Sequence, residues 1–126
     1  GRGCDVSNEA SVQDSVQACV ERYGSLYGLV NMAGILRFDD TQVLQTDHWQ
    51  KVIDINLTGT MFLCRAALPH LVQTKGSIVN AASTAALSGL PCGLAYSASK
   101  GGVLRWSMPS VVYVPIACVP AISTRA

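Results

Sequence analysis

Gly93-Leu94-Ala95-Tyr96-Ser97-Ala98-Ser99-Lys100-Gly101 sets a phenol and an ammonium four residues apart in a segment whose periodicity is helical. Positions i and i+4 share a helix face, so the Lys100 side chain reaches the neighbourhood of the Tyr96 hydroxyl. A free phenol titrates near pH ~10, and a tyrosine that exchanges a proton near neutrality needs a cation beside it to stabilise the anion. The spacing is weak evidence by itself. With four Tyr and three Lys in 126 residues, chance gives roughly 0.1 such pairs, and an ordinary helix-face pair is the simpler reading. The segments on either side decide between the two.

Upstream, Ala81 to Gly93 is rich in small residues and glycine and reads as a loop lying against a ligand. Before it, Ser77-Ile78-Val79-Asn80 is strand-like. Helix signals begin at Thr46-Asp47 and continue through Trp49, Val52, Ile53, Leu57, Met61, Leu63 and Cys64 to about Leu68, with Pro69 and Lys75-Gly76 expected to close the helix. Asn56 lies inside that run, where Asn is a poor helix former and is ordinarily placed in solvent. Arg37 to Gln45 is polar loop. Leu26 to Met32 reads as a buried strand ending in the tight turn Asn31-Met32-Ala33-Gly34, where Gly34 lets the backbone bend or approach a ligand. From Ser7 to Tyr23, apolar residues at Val12, Val16, Cys19, Val20 and Tyr23 predict an amphipathic helix with Ser7 as N-cap and Gly24 as its stop. Downstream, helix is expected from Leu94 to about Trp106.

Strand and helix alternate with crossover-sized connections, which predicts α/β architecture with a parallel, doubly wound sheet. In such sheets ligands bind at the carboxyl ends of the strands. The turn after Met32 and the loop after Asn80 then face one crevice, with the Tyr96 helix beginning beside it.

Composition agrees. Hydrophobic content of 49% with 13% charged residues fits a buried α/β interior, and a net charge of +1 offers no basic stripe for nucleic acid. The five cysteines, Cys4, Cys19, Cys64, Cys92 and Cys118, are odd in number and widely spread, without metal-ligand spacing; reduced thiols in a cytoplasmic protein are expected, and no metal site. No signal peptide or membrane span is expected, since the most apolar stretch, Val111 to Val119, is strand-sized and carries Pro115. At 126 residues the chain holds at most one domain. It opens without an initiator Met, close to a helix start, and reads as a piece of something longer.

Taken together, Cys4-Asp5-Val6, Asn31-Met32-Ala33-Gly34, Ile55-Asn56-Leu57, Ser83 after Ile78-Val79-Asn80, and Tyr96-Ser97-Ala98-Ser99-Lys100 resemble the short-chain dehydrogenase/reductase family, over roughly Asp5 to Gly102. Each element is weak alone; their order, with Ser83 and Tyr96 thirteen residues apart, is specific. The resemblance implies a partial Rossmann-type domain and an NAD(P)-dependent oxidoreductase interconverting a ketone and a secondary alcohol. It also implies a catalytic tetrad of Asn56, Ser83, Tyr96 and Lys100. Ser83 would donate to the substrate carbonyl and Tyr96 would transfer the proton. Lys100 would stabilise the phenolate and hold the nicotinamide ribose, and Asn56 would anchor a water. Asp5 and Val6 would lie at the adenine, Asn31, Ala33 and Gly34 beside the adenosine, with Tyr96 and Lys100 also touching the cofactor. A homodimer or homotetramer through the helices of residues 46 to 68 and 94 to 106 is likewise implied.

The sequence departs from the family at both ends. No Gly-x-x-x-Gly-x-Gly cradle for a pyrophosphate occurs, and the strand end that selects NAD or NADP is missing, so cofactor choice is unreadable. The isolated chain is expected to bind cofactor weakly or not at all. After Gly102, Pro109 would interrupt the expected long helix, while Val111 to Val119 resembles the next strand and Pro120-Ala121 stands where Pro-Gly is expected. The alternatives are an inactive remnant or interaction fragment of such an enzyme, and an unrelated α/β binding domain.

Overall fold

The computed structural model describes residues 3–106. The readings at Pro109, Val111 to Val119, Cys118 and Pro120-Ala121 lie outside the described residues. Helix α1 spans Glu9–Tyr23, strand β1 Gly28–Asn31, helix α2 Thr46–Ile53, a π turn Asp54–Thr58, helix α3 Gly59–Thr74, strand β2 Ser77–Asn80, the short helix α4 Ala85–Ser88, and helix α5 Leu94–Arg105. Strands β1 and β2 pair in parallel with Gly28 opposite Ser77 and Asn31 opposite Asn80. The helical crossover between them is the length that a parallel connection requires.

One face of the sheet is covered by α3. Cys64, Ala67 and Leu71 of α3 pack with Ile78 of β2, all fully buried, and Leu26, Leu29 and Trp106 close around them. Alternation along β1 turns Leu29 and Asn31 toward this core and leaves Val30 63% exposed on the other face. Helix α1 packs on α3 through Val12 and Val16, with an Arg65–Glu9 ion pair at the rim. Two glycines let backbones meet: a Cβ at Gly76 would stand 2.5 Å from the Tyr27 carbonyl oxygen, and one at Gly59 would stand 2.7 Å from that of Val6.

The helix ends correct two expectations. Asn8, not Ser7, caps α1: its Oδ1 accepts the Ser11 N–H at 3.1 Å. Ser7 is engaged in the preceding turn, where its N–H and hydroxyl donate to the Asp5 carboxylate at 3.0 and 2.7 Å. Pro69 does not close the long helix but sits exposed within α3, which runs on to a left-handed Lys75 (φ 54°). An interior proline costs about 3 kcal/mol. Burial of Leu71 beyond it, at roughly 1.5–3 kcal/mol for such a side chain, together with the sheet packing on both sides, offsets that cost.

Two further readings are refined. The strand expected over Leu26 to Met32 forms only at Gly28–Asn31, and the loop expected over Ala81 to Gly93 contains α4. The polar loop of residues 37 to 45 is tied to the loop before α5, because the Asp39 N–H donates to the Cys92 carbonyl at 2.8 Å. Gly24 ends α1 in the left-handed conformation, as expected (φ 79°).

Candidate active site

The carboxyl ends of the two strands are clasped by their last residues. The Asn31 Nδ2 donates to Asn80 Oδ1 at 2.7 Å and lies 3.3 Å from the Cys64 sulfur. All three side chains are buried, and burial raises the Cys64 thiol pKa, with the two asparagines opposing. Asn31 is thus turned into the sheet–α3 contact, whereas Met32, Ala33 and Gly34 after it are exposed. One residue past the strands, the Ala81 N–H donates to the Asn31 carbonyl at 3.0 Å, extending the ladder.

The Ala81 carbonyl, on the same peptide-linked residue, accepts the Lys100 ammonium at 2.8 Å. Lys100 is only 6% exposed, and burial lowers its pKa from the usual lysine value, because a low-dielectric surrounding disfavours the charged form. The Tyr96 to Lys100 spacing does what helix geometry dictates: Nζ lies 5.9 Å from the Tyr96 ring centroid. The first acceptor of the ammonium is nevertheless the sheet end, not the phenol. Tyr96 itself is half-buried.

Asn56 occupies the middle of the π turn and is fully buried, contrary to the exposed position that its residue type suggested. The widened turn replaces the regular helical ladder where the side chain is needed, as π turns often do at functional sites. Its Oδ1 accepts the Ile35 N–H at 2.8 Å and its Nδ2 donates to the Ile35 carbonyl at 2.9 Å and to the Ser99 hydroxyl at 3.1 Å. The carboxamide therefore mimics a strand partner for Ile35 and fixes the turn after β1. Its own carbonyl accepts the Thr60 hydroxyl at 2.8 Å.

Gly34 lies in the angle between these groups. A Cβ there would come within 3.3 Å of Asn56 Oδ1 and 3.6 Å of Lys100 Nζ. Ser83 is 3% exposed; its Oγ accepts the Ala85 N–H at 3.2 Å and so opens α4. Its hydroxyl proton has no acceptor among the described residues. Asp5 stands apart, fully exposed, its carboxyl pKa lowered by the Ser7 hydroxyl and N–H. Val6 is half-buried against Gly59.

The structure thus ties Asn56 to Ile35 and, through Ser99, to the Tyr96 carbonyl, and Lys100 to Ala81, with Gly34 close to Asn56 and Lys100; Ile35, Ala81 and Ser99 are three residues that sequence reasoning passed over. Ile35 and Ala81 act through main-chain atoms, which no side-chain pattern reveals. Ser99 lay inside the stretch first singled out, three residues after Tyr96. Among the described residues no cluster of His, Cys, Asp and Glu is placed to hold a metal ion, and no helix is long and apolar enough to cross a membrane.

A family model described as short chain dehydrogenase matches residues 1–110. The chain is 42% identical over 105 residues to the 2-(R)-hydroxypropyl-CoM dehydrogenase of Xanthobacter autotrophicus, covering 80% of this chain and 42% of that protein. It is 37% identical over 105 residues to a protein of the same organism named inactive 2-(S)-hydroxypropyl-CoM dehydrogenase 2, covering 82% and 46%. The crystal structure of NAD+-bound xylitol dehydrogenase superposes with a TM-score of 0.76 at 34% identity, covering 80% of this chain and 40% of that one. The chain spans less than half the length of each of these proteins. With a parallel sheet and flanking helices like those of the solved neighbour, and a family match over most of its residues, the chain belongs to the short-chain dehydrogenase family.

Proposed function

We propose that this chain carries the proton-transfer half of an NAD(P)-dependent oxidoreductase that interconverts a small ketone and a secondary alcohol. The observation that carries this reading is the buried network Ile35–Asn56–Ser99, which ends at the Tyr96 carbonyl, with the buried Lys100 Nζ 5.9 Å from the centre of the Tyr96 ring. A structural lysine would be exposed at no cost; this one is kept 6% exposed, with a single acceptor among the described residues and two ammonium hydrogens to spare.

In that reading Tyr96 is the acid and base, exchanging a proton with the substrate oxygen. Lys100, whose Nζ lies 5.9 Å from the centre of the Tyr96 ring, favours the phenolate electrostatically in a site where burial weakens screening. Ser83 presents its uncommitted hydroxyl proton to the same oxygen, so charge that develops there meets donors already in place. Asn56 holds the β1 turn and α5 together beneath them.

The residues present fit a nicotinamide cofactor at this end of the site. Gly34 leaves open the space that a Cβ would fill beside Asn56 and Lys100, the turn residues Ala33 and Gly34 are exposed, and Lys100 retains donors for ribose hydroxyls. When bound, the cofactor would supply the hydride chemistry. Asp5 and Val6 are assigned to the adenine end and Asn31, Ala33 and Gly34 to the adenosine, with the Asn31 side-chain amide committed to Asn80. Assembly as a dimer or tetramer would use the outer faces of α2, α3 and α5.

The test is an assay of the protein with NADH and NADPH against small ketones, and with the oxidised cofactors against secondary alcohols. Turnover that falls at least about 10³-fold in Tyr96→Phe, with unchanged circular dichroism, supports the assignment. Turnover that survives the substitution refutes it. A folded chain that neither binds cofactor nor turns over is the inactive remnant.

A further inference from the structure

Helix α5 carries two neighbouring serines with opposite fates. The Ser97 hydroxyl is buried and finds no hydrogen-bond partner among the described residues, whereas Ser99, 0% exposed, uses its hydroxyl in both directions. Ser99 Oγ donates to the Tyr96 carbonyl at 2.8 Å and accepts the Asn56 Nδ2 at 3.1 Å. At a fully buried helix position alanine is the better helix former, and a serine bonded back to the i−3 carbonyl slightly disfavours and bends the helix. A residue that breaks the local rule in that way, with every bond made, is held there by what it connects.

It connects the two halves of the network. The Asn56 carboxamide has three hydrogen-bonding partners: the Ile35 N–H and carbonyl on the turn after β1, and the Ser99 hydroxyl on α5. Ser99 is the one that reaches the Tyr96–Lys100 helix, and it bonds to the carbonyl of Tyr96 itself. The same two elements also meet closely at Gly102, where a Cβ would stand 2.9 Å from a Leu57 methyl. That apolar contact sets the distance between α5 and the π turn, whereas the Ser99–Asn56 hydrogen bond is directional and ties α5 to one residue of that turn.

We propose that Ser99 is the positioning residue of this site, its hydroxyl the pin that holds the Tyr96–Lys100 helix in register against Asn56. The inference rests on the reading of Tyr96 and Lys100 as the reactive pair, and its test does not depend on turnover. The chain is labelled at asparagine side-chain nitrogen and at lysine Cε, and followed by NMR. In the unsubstituted chain both Asn56 side-chain protons should exchange at least roughly tenfold slower than those of the exposed Asn8. In Ser99→Ala, the proton facing residue 99 should lose that protection while the one donated to Ile35 keeps it. The Lys100 titration should move up toward the ordinary lysine value as Nζ leaves Ala81 for solvent. Ser99→Thr, which restores the hydroxyl, should return both signals.

Three results would overturn the proposal. Equal exchange at Asn56 and Asn8 would do so without any variant. A folded Ser99→Ala chain with an unmoved Lys100 titration would do so as well. If Ser99→Ala and Ser99→Cys both only unfold, the hydroxyl serves the fold rather than the position of the reactive pair. Absence of catalytic turnover in any of these chains would count against the proposed function alone.

Discussion

Asn56 is the residue on which the described network depends most. Removing its carboxamide leaves the Ile35 N–H and carbonyl and the Ser99 hydroxyl short of partners, and each buried unsatisfied group costs about 1–3 kcal/mol. With partial access of water to Ile35, Asn56→Ala should destabilise the chain by about 2–4 kcal/mol in urea denaturation. A loss under about 0.5 kcal/mol, the usual range for a surface change, would show the network to be ornamental.

Lys100 yields a prediction of opposite character. Burial lowers its native pKa, because desolvation disfavours the charged form. Below the lowered native value both states bind the proton; above the ordinary lysine value neither does. Between the two the unfolded chain binds more protons, so stability rises with pH. The stability of the wild-type chain relative to Lys100→Met should therefore increase across that alkaline window, measured by denaturation at stepped pH. A difference that stays flat or falls would mean that the amine is hydrated in the folded chain.

Among elements, the glycines separate backbone contacts from side-chain contacts. At Gly76 a Cβ meets the Tyr27 carbonyl at 2.5 Å, an atom fixed by the start of the β1–β2 pairing. Gly76→Ala should cost about 2 kcal/mol or more, comparable with core overpacking. At Gly102 the Cβ meets the flexible end of Leu57, and the helix gains roughly 0.8–1 kcal/mol from alanine, so Gly102→Ala should be near neutral. Thermal melts of the two variants check the contrast, and equal losses would contradict it.

Periodicity revealed α1, β1, α3, β2 and α5 because each buries one face, and a buried face is written as spacing. It could not reveal the π turn, whose cause is a tertiary demand: Asn56 must face Ile35, distant in sequence. Nor could it show that α3 passes through Pro69, since the packing that outweighs the lost bond lies on β2. At the residue level, types and order singled out Tyr96, Lys100, Asn56 and Ser83 as candidates. Ile35 and Ala81 were not, because their contribution is main-chain.

For the whole molecule, the described residues supply the carboxyl ends of two parallel strands and the helix that stands over them, in a chain that spans less than half the length of its relatives. The proposed function requires these residues to form a working proton-transfer site. The most direct measurement exchanges the matching segment of the Xanthobacter 2-(R)-hydroxypropyl-CoM dehydrogenase for residues 5–106 and assays the folded chimera with its cofactor, with and without Tyr96→Phe. The expected result is measurable turnover that Tyr96→Phe removes. A folded, cofactor-binding chimera with no turnover, or with turnover indifferent to Tyr96, would contradict the claim.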